Sequence, residues 1–221
     1  MFTSQMLELF GVGILESLYM TLGSTLLAYL FGLPLGLLLS VTDKEGIYPI
    51  RWLNAILGFL VNMLRSIPFI ILLVAIIPFT RSIVGTSIGS TATIVPLVVS
   101  AVPFVARMVE SSIKEVDAGV IEAAQAMGTP TLKIVTKVLV PEAKPSLLTG
   151  AAIAVTTILG YSAMAGFVGG GGLGTIAINY GYYRYQTDVM LVTVALLILI
   201  VQIFQEVGMR IARKADKRIN S

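Results

Sequence analysis

The sequence holds no cysteine and no histidine. That removes thiol nucleophiles, disulfides, imidazole bases and the commonest soft or borderline metal ligands, and with them most enzyme mechanisms. No catalytic residue and no metal site is therefore expected. Gly169, Gly171 and Gly174 satisfy G-x-G-x-x-G, the spacing of a dinucleotide-binding turn. They follow a long apolar run rather than a strand, so the run from Gly169 to Gly172 is expected to form a tight turn or a re-entrant segment. No G-x-x-x-x-G-K-S/T occurs, so the chain is not expected to hydrolyse ATP itself. Tyr161, Ser162 and Met164 set hydroxyls and a polarizable thioether on one apolar segment. They suit either the lining of a path for a zwitterionic, modestly apolar solute or packing inside a helix assembly. Arg65 lies beside or within apolar sequence, where an arginine either snorkels to an interface or finds water or a partner.

The elements that carry these residues are set by hydropathy. Of 221 residues, 56% are hydrophobic and 12% charged, and the mean hydropathy is +0.92, far above that of a soluble domain. Apolar stretches long enough to cross about 30 Å of hydrocarbon recur along the chain. They predict an all-α, polytopic membrane protein with about five transmembrane helices, near 17–40, 52–80, 91–109, 145–167 and 187–208, in one membrane domain over 1–221. The second region is too long for one straight crossing and holds Pro68 and Pro78, so a tilted approach, a kink near Pro68 and then the crossing proper are expected. Gly32 and Gly36 are spaced for close helix packing. The N-terminus has no basic region and carries Glu8 and Glu16 ahead of the apolar core, unlike a cleavable signal peptide.

Basic residues orient the spans. Lys44 and Arg51 follow the first span; Arg107, Lys114, Lys133, Lys137 and Lys144 flank the long third loop; Arg210, Arg213, Lys214, Lys217 and Arg218 follow the last. Arg81 and Arg184 fall on the other side. The expectation is an N-terminus outside and a C-terminus in the cytoplasm. The net charge of +3 is spent on topology, and no nucleic acid is expected as a partner.

The loop over 111–141 predicts two short helices. Asp117 can cap the first and Gly128 can end it in the left-handed conformation; Thr129 and Pro130 can serve as N-cap and N1 of the second, which should stop before Pro141. Val120, Ala124 and Met127 recur at helical spacing, forming a stripe that either a partner protein or the chain's own spans would bury.

Glu122, Ala123, Ala124, Gly128, Val138, Val140 and Pro141 resemble the EAA loop of ABC importer permeases, which has Ile and Leu at the two valine positions. The resemblance implies that the helix around Glu122 to Gly128 is a coupling helix docked on an ATPase, with Val120, Glu122, Ala123, Ala124, Met127, Gly128 and Pro141 as the coupling residues. The segments RSIPFIILL at 65–73, IPFTR at 77–81, IVGTSIG at 83–89, PFVARMVE at 103–110 and GYSAM at 160–164 resemble the permeases of bacterial methionine importers. That resemblance implies a type I importer fold in the bacterial cytoplasmic (inner) membrane, multi-pass in the lipid bilayer and paired with a second copy of itself. It also implies two copies of a cytoplasmic ATPase that bind ATP and Mg, no cofactor in this chain, and an extracytoplasmic binding protein that delivers D- or L-methionine. A permease for another small solute, a membrane assembly factor and a passive channel are the competing readings.

Overall fold

The computed structural model describes residues 4–216, and every element among them is helical. Four helical stretches are long and apolar enough to cross a membrane: Ser4–Thr42, Ser90–Lys114, Lys144–Tyr182 and Thr187–Ala215. A fifth crossing is available if Arg51–Arg65 and Phe69–Ala75, bent by 98° to each other, act together.

Helix α1 (Ser4–Thr42) begins at Ser4 rather than near residue 17 and carries Pro34 in its interior. The second apolar region differs more from expectation. A break does fall at Pro68, but the residues beyond it form two short helices, not one crossing. Helix α2 (Arg51–Arg65) closes with the Ser66 hydroxyl donating to the Asn62 carbonyl at 2.8 Å. Pro68, extended at ψ 134°, then caps α3 (Phe69–Ala75), and Pro78 sits in the first turn of α4 (Ile77–Val84). Each of these two prolines sits at a helix start, where its missing amide costs nothing. Gly85, at φ +81°, ends α4.

The remaining order is α5 (Ser90–Lys114), α6 (Ala118–Ala126), α7 (Thr131–Ile134), a π turn over Val135–Leu139, α8 (Val140–Glu142) and α9 (Lys144–Met164). A 3-10 turn (Ala165–Val168), α10 (Gly172–Ile176), a second π turn (Ala177–Tyr182) and α11 (Thr187–Ala215) complete it. Lys217 and Arg218, expected beside the last span, lie outside the described residues.

The chain divides into two compact units. The first comprises the chain up to Leu27, Ile67–Ala101 and Ala154–Gln205; the second comprises Ala28–Ser66, Val102–Ile153 and the chain from Glu206. The first is cored by Phe10, Leu159, Leu173, Ile176, Val189 and Ile200. Its glycines bring backbones into contact: a Cβ on Gly166 would lie 2.6 Å from the Gly174 carbonyl oxygen and the Thr175 nitrogen. The second unit is cored by Leu39, Val61 and Ala106, and there α1 meets α5 through glycine. A Cβ on Gly32 would lie 2.9 Å from the Val102 carbonyl oxygen, and one on Gly36 would strike the Ala106 carbonyl. The spacing of these two glycines is thus used for close helix packing.

Candidate functional site: an exposed helix, its charged support and a glycine turn

Helix α6 is fixed at both ends by its own sequence. The Asp117 carboxylate accepts from the Gly119 amide at 2.7 Å, satisfying a donor that the helix start would leave free. At the other end the Gly128 amide donates to Gln125 at 2.9 Å and the Thr129 amide to Ala124 at 3.2 Å, with Gly128 at φ +70°. A nine-residue helix is marginal in isolation, and these two caps are what define it.

Its faces are unequal. Val120 is 41% exposed and Met127 77%, and Glu122, Ala123 and Gly128 are exposed as well. Ala124 is 4% exposed. The expected stripe of Val120, Ala124 and Met127 therefore splits: Ala124 packs into the chain's own second unit, because its small side chain lets the helix sit close. Leu132 at the start of α7, 76% exposed, joins Met127 as an apolar group without cover. Met127 and Leu132 are the most exposed of the large apolar side chains in the loop.

The second helix of the loop starts one residue later than expected, with Pro130 as N-cap at ψ 145° and Thr131 as the first helical residue. It also does not stop before Pro141. The chain passes through the π turn of Val135–Leu139 into α8, so Pro141 lies inside a helical path and is exposed. The wider π turn places the break in the hydrogen-bond ladder just ahead of the residue that has no amide to give.

Beside α6 lies a cavity of about 590 Å³ lined by Ile121, Gln125, Leu139, Lys114 and the turn from Asp43 to Ile47. The charges around it form a chain. Lys114 Nζ lies 2.5 Å from Asp43 Oδ2 and 2.9 Å from Glu110 Oε1, and Arg107 Nη1 lies 2.6 Å from Glu110 Oε2. The Lys114 ammonium, first by its hydrogen bond and then by its charge, holds the Asp43 carboxyl below the usual carboxylate range, and the backbone amides of Lys44 and Glu45 add to the effect. The sequence signal for this set was the i, i+3, i+7 spacing of Arg107, Glu110 and Lys114; nothing in the sequence pointed to Asp43 as their partner.

In the first unit the expected path-lining residues separate. Ser162 is 1% exposed and its hydroxyl donates to the Leu159 carbonyl at 2.8 Å. The Tyr161 ring stacks on Phe69 at 4.7 Å and 5° between planes. Met164 is about half exposed and lies one turn beyond Gly160, where an added Cβ would meet nothing within 4 Å. Arg65 is exposed at the last position of α2, where the helix dipole favours a cation.

The glycine run is a turn, with Gly169, Gly171 and Gly172 all at positive φ. It is clamped from two helices. Glu16 of α1 accepts from the Gly172 amide at 2.6 Å and the Ser17 hydroxyl from the Leu173 amide at 2.9 Å. Thr93 of α5 donates to the Gly170 carbonyl at 3.1 Å. These oxygens take up the first amides of α10, the groups a short helix start would otherwise leave bare in an apolar setting. In the sequence Glu16 is one of two carboxylates ahead of the apolar core, and nothing local pairs it with the glycine turn.

Residues 14–221 match the model of the family described as binding-protein-dependent transport system inner membrane component. The chain belongs to this family. It is 51% identical over 203 residues to the probable D-methionine transport system permease protein MetI of Vibrio cholerae, covering 92% of this chain and 90% of that one. It is 43% identical over 181 residues to the methionine import system permease protein MetP of Bacillus subtilis, covering 82% of each. Among solved structures, an inward-facing conformation of the MetNI methionine ABC transporter superposes with a TM-score of 0.96 at 48% identity, covering 98% of this chain and 100% of that one. An amino acid ABC transporter at 20% identity shares the fold, with a TM-score of 0.78. Members of a binding-protein-dependent transport family are translocation components, and the sequence carries no phosphate-binding loop.

Proposed function

We propose that this chain is the membrane-spanning subunit of an ATP-driven methionine importer in a bacterial inner membrane, with its N-terminus outside and its C-terminus in the cytoplasm. Two copies form the translocation path. Each presents α6 to a cytoplasmic ATPase subunit, and an extracytoplasmic binding protein delivers methionine of either hand to the outer side. ATP and Mg bind to the ATPase; this chain supplies the path and the handle by which it is moved.

The observation that carries the reading is α6 itself: a helix capped at both ends by Asp117 and Gly128 that leaves Val120, Met127 and neighbouring Leu132 uncovered. Glu122 and Ala123 lie on the exposed side, Ala124 anchors the helix to its own chain, and Pro141 lies in the helical path that follows. The likeness to permeases named for methionine supports the choice of substrate. In the path, Met164 is the candidate contact for a thioether substrate and Tyr161 a support held by Phe69. Transport follows from alternation between inward-open and outward-open states whose populations the ATPase shifts through α6.

The test is reconstitution of the chain with a candidate ATPase and binding protein in proteoliposomes. Nucleotide-dependent uptake of methionine that requires the binding protein is the expected result. Uptake without nucleotide would point to a passive channel, and uptake of another solute in preference to methionine would move the substrate assignment.

A further inference from the structure

Arg107, Glu110 and Lys114 follow one face of α5, and together with Asp43 they join three helices of the second unit. Arg107 Nη2 donates to the Gly58 carbonyl at 3.1 Å and to Asn62 Oδ1 at 3.0 Å, which ties α5 to α2. Lys114 reaches Asp43 in the turn that follows α1, and Asn54 of α2 closes the triangle by donating to the Leu39 carbonyl at 2.7 Å and to Thr42 Oγ1 at 3.2 Å. Glu110, only 7% exposed, is held between two cations.

Holding helices together does not require such a set. Apolar side chains of similar volume would do so without the desolvation cost of the buried Glu110 carboxylate and the partly buried Arg107, and the best-attested use of a buried ionic group is to fix register. The register fixed here is that of the segment leading into α6. Lys114 is the last residue of α5, and Asp117, the cap of α6, follows three positions later. The side of α6 carrying Ile121 and Gln125 borders the 590 Å³ cavity. Beyond the burial of Ala124 and the packing of α6 on the π turn of 135–139, α6 is joined to the end of α5 by the three residues 115–117.

We propose that Lys114 is the positioning residue that carries displacement of α6 to α1 and α2, with Asp43, Glu110 and Arg107 as the rest of a strut that stays closed through the transport cycle. A push on α6 reaches the end of α5, passes through Asp43 to the end of α1, and passes through Glu110 and Arg107 to α2. Without the strut the displacement is taken up in the 115–117 connection and the cavity beside α6. This inference rests on α6 being the ATPase docking helix.

The natural absence of cysteine makes the test direct. Asp43→Cys and Lys114→Cys are combined in the complex of permease, ATPase and binding protein, and methionine transported per ATP hydrolysed is measured in proteoliposomes. The unlinked variant should assemble, hydrolyse ATP within about twofold of the unaltered complex, and lose at least about fivefold in transport per ATP. Bridging the two cysteines with a short flexible bis-maleimide should restore that ratio to within about twofold. Lys114→Met, which keeps the reach of the side chain without its charge, should show the same loss and decides the matter if the double variant does not assemble. Full coupling in the unlinked variant and in Lys114→Met, or continued uncoupling after bridging, would overturn the strut. Failure of the docking reading is separately visible: the unaltered chain would not hold the ATPase, and the strut would fall with it.

Discussion

The two units of this chain share close backbone packing at glycine and differ in charge. The first carries only Arg81 and Arg184 among the basic residues and is organised by backbone approach, with Gly166 against Gly174 and the 169–172 turn clamped by Glu16, Ser17 and Thr93. The second carries the remaining basic residues, the ion pairs of α5 and the exposed helix α6. Both units have sites with no room for a side chain, at Gly166 in the first and at Gly32 and Gly36 in the second, and only the second adds ion pairs and a capped, exposed helix. In a membrane protein that difference is functional, because charge is retained where the chain meets a partner or an aqueous surface and excluded elsewhere.

Substitutions at five positions bear on this contrast. The largest effect is expected at Gly166→Val in the first unit. Its Cβ would meet backbone on the facing segment, so a loss of about 3 kcal/mol and failure to recover monodisperse protein by size exclusion are expected. Gly160→Val, with open space around it, should leave recovery intact. If both behave alike, backbone approach is not what organises the first unit.

Glu16→Ala should cost about 1–3 kcal/mol, read as a lowered thermal unfolding midpoint, because the Gly172 amide loses its acceptor. Glu16→Gln keeps an acceptor oxygen and should recover at least half of that loss.

In the second unit Gly128 has a left-handed backbone and no atom close enough to obstruct a side chain. Gly128→Val should therefore act through the backbone alone, at about 1–2 kcal/mol, and appear as uncoupling of transport from ATP hydrolysis rather than as loss of protein. Gly128→Asn, which tolerates that conformation, should stay near wild type. Unchanged transport by a well-expressed Gly128→Val would count against α6 as the coupling element.

The smallest effect is that of Asp43 on stability. Its folded pKa is lowered, so its contribution is fully present above the unfolded carboxylate value of about 3.9 and is lost as pH falls through the lower folded value. The pair is partly exposed, which keeps the effect below about 1 kcal/mol. Asp43→Asn should flatten the pH dependence of the unfolding midpoint below about pH 4. A large fall in stability at neutral pH would mean that the charged set is chiefly structural and would blur the contrast between the units.

Much of the architecture was legible along the chain. Hydropathy announced the all-helical membrane fold, Asp117 and Gly128 announced the ends of α6, and Pro68 announced a break, because propensity, capping and proline effects act over a few residues. Reading Thr129 as a cap and Pro141 as a stop went astray for a local reason too: a π turn lets a helical path continue past a proline, and single-residue rules do not foresee it.

Other features were settled only in three dimensions. The hydrogen bonds from Gly172 to Glu16 and from Leu173 to Ser17 each span 156 positions, and Arg107 reaches back 45 positions to Asn62. Ala124 and Ser162 proved to be buried although their neighbours Met127 and Met164 are exposed. Composition and short-range spacing determined that this chain would form capped apolar helices and where its charge would collect. Which amide meets which carboxylate, and which side of a helix is left uncovered, depended on segments remote in sequence arriving at the same place, and no local propensity encodes that.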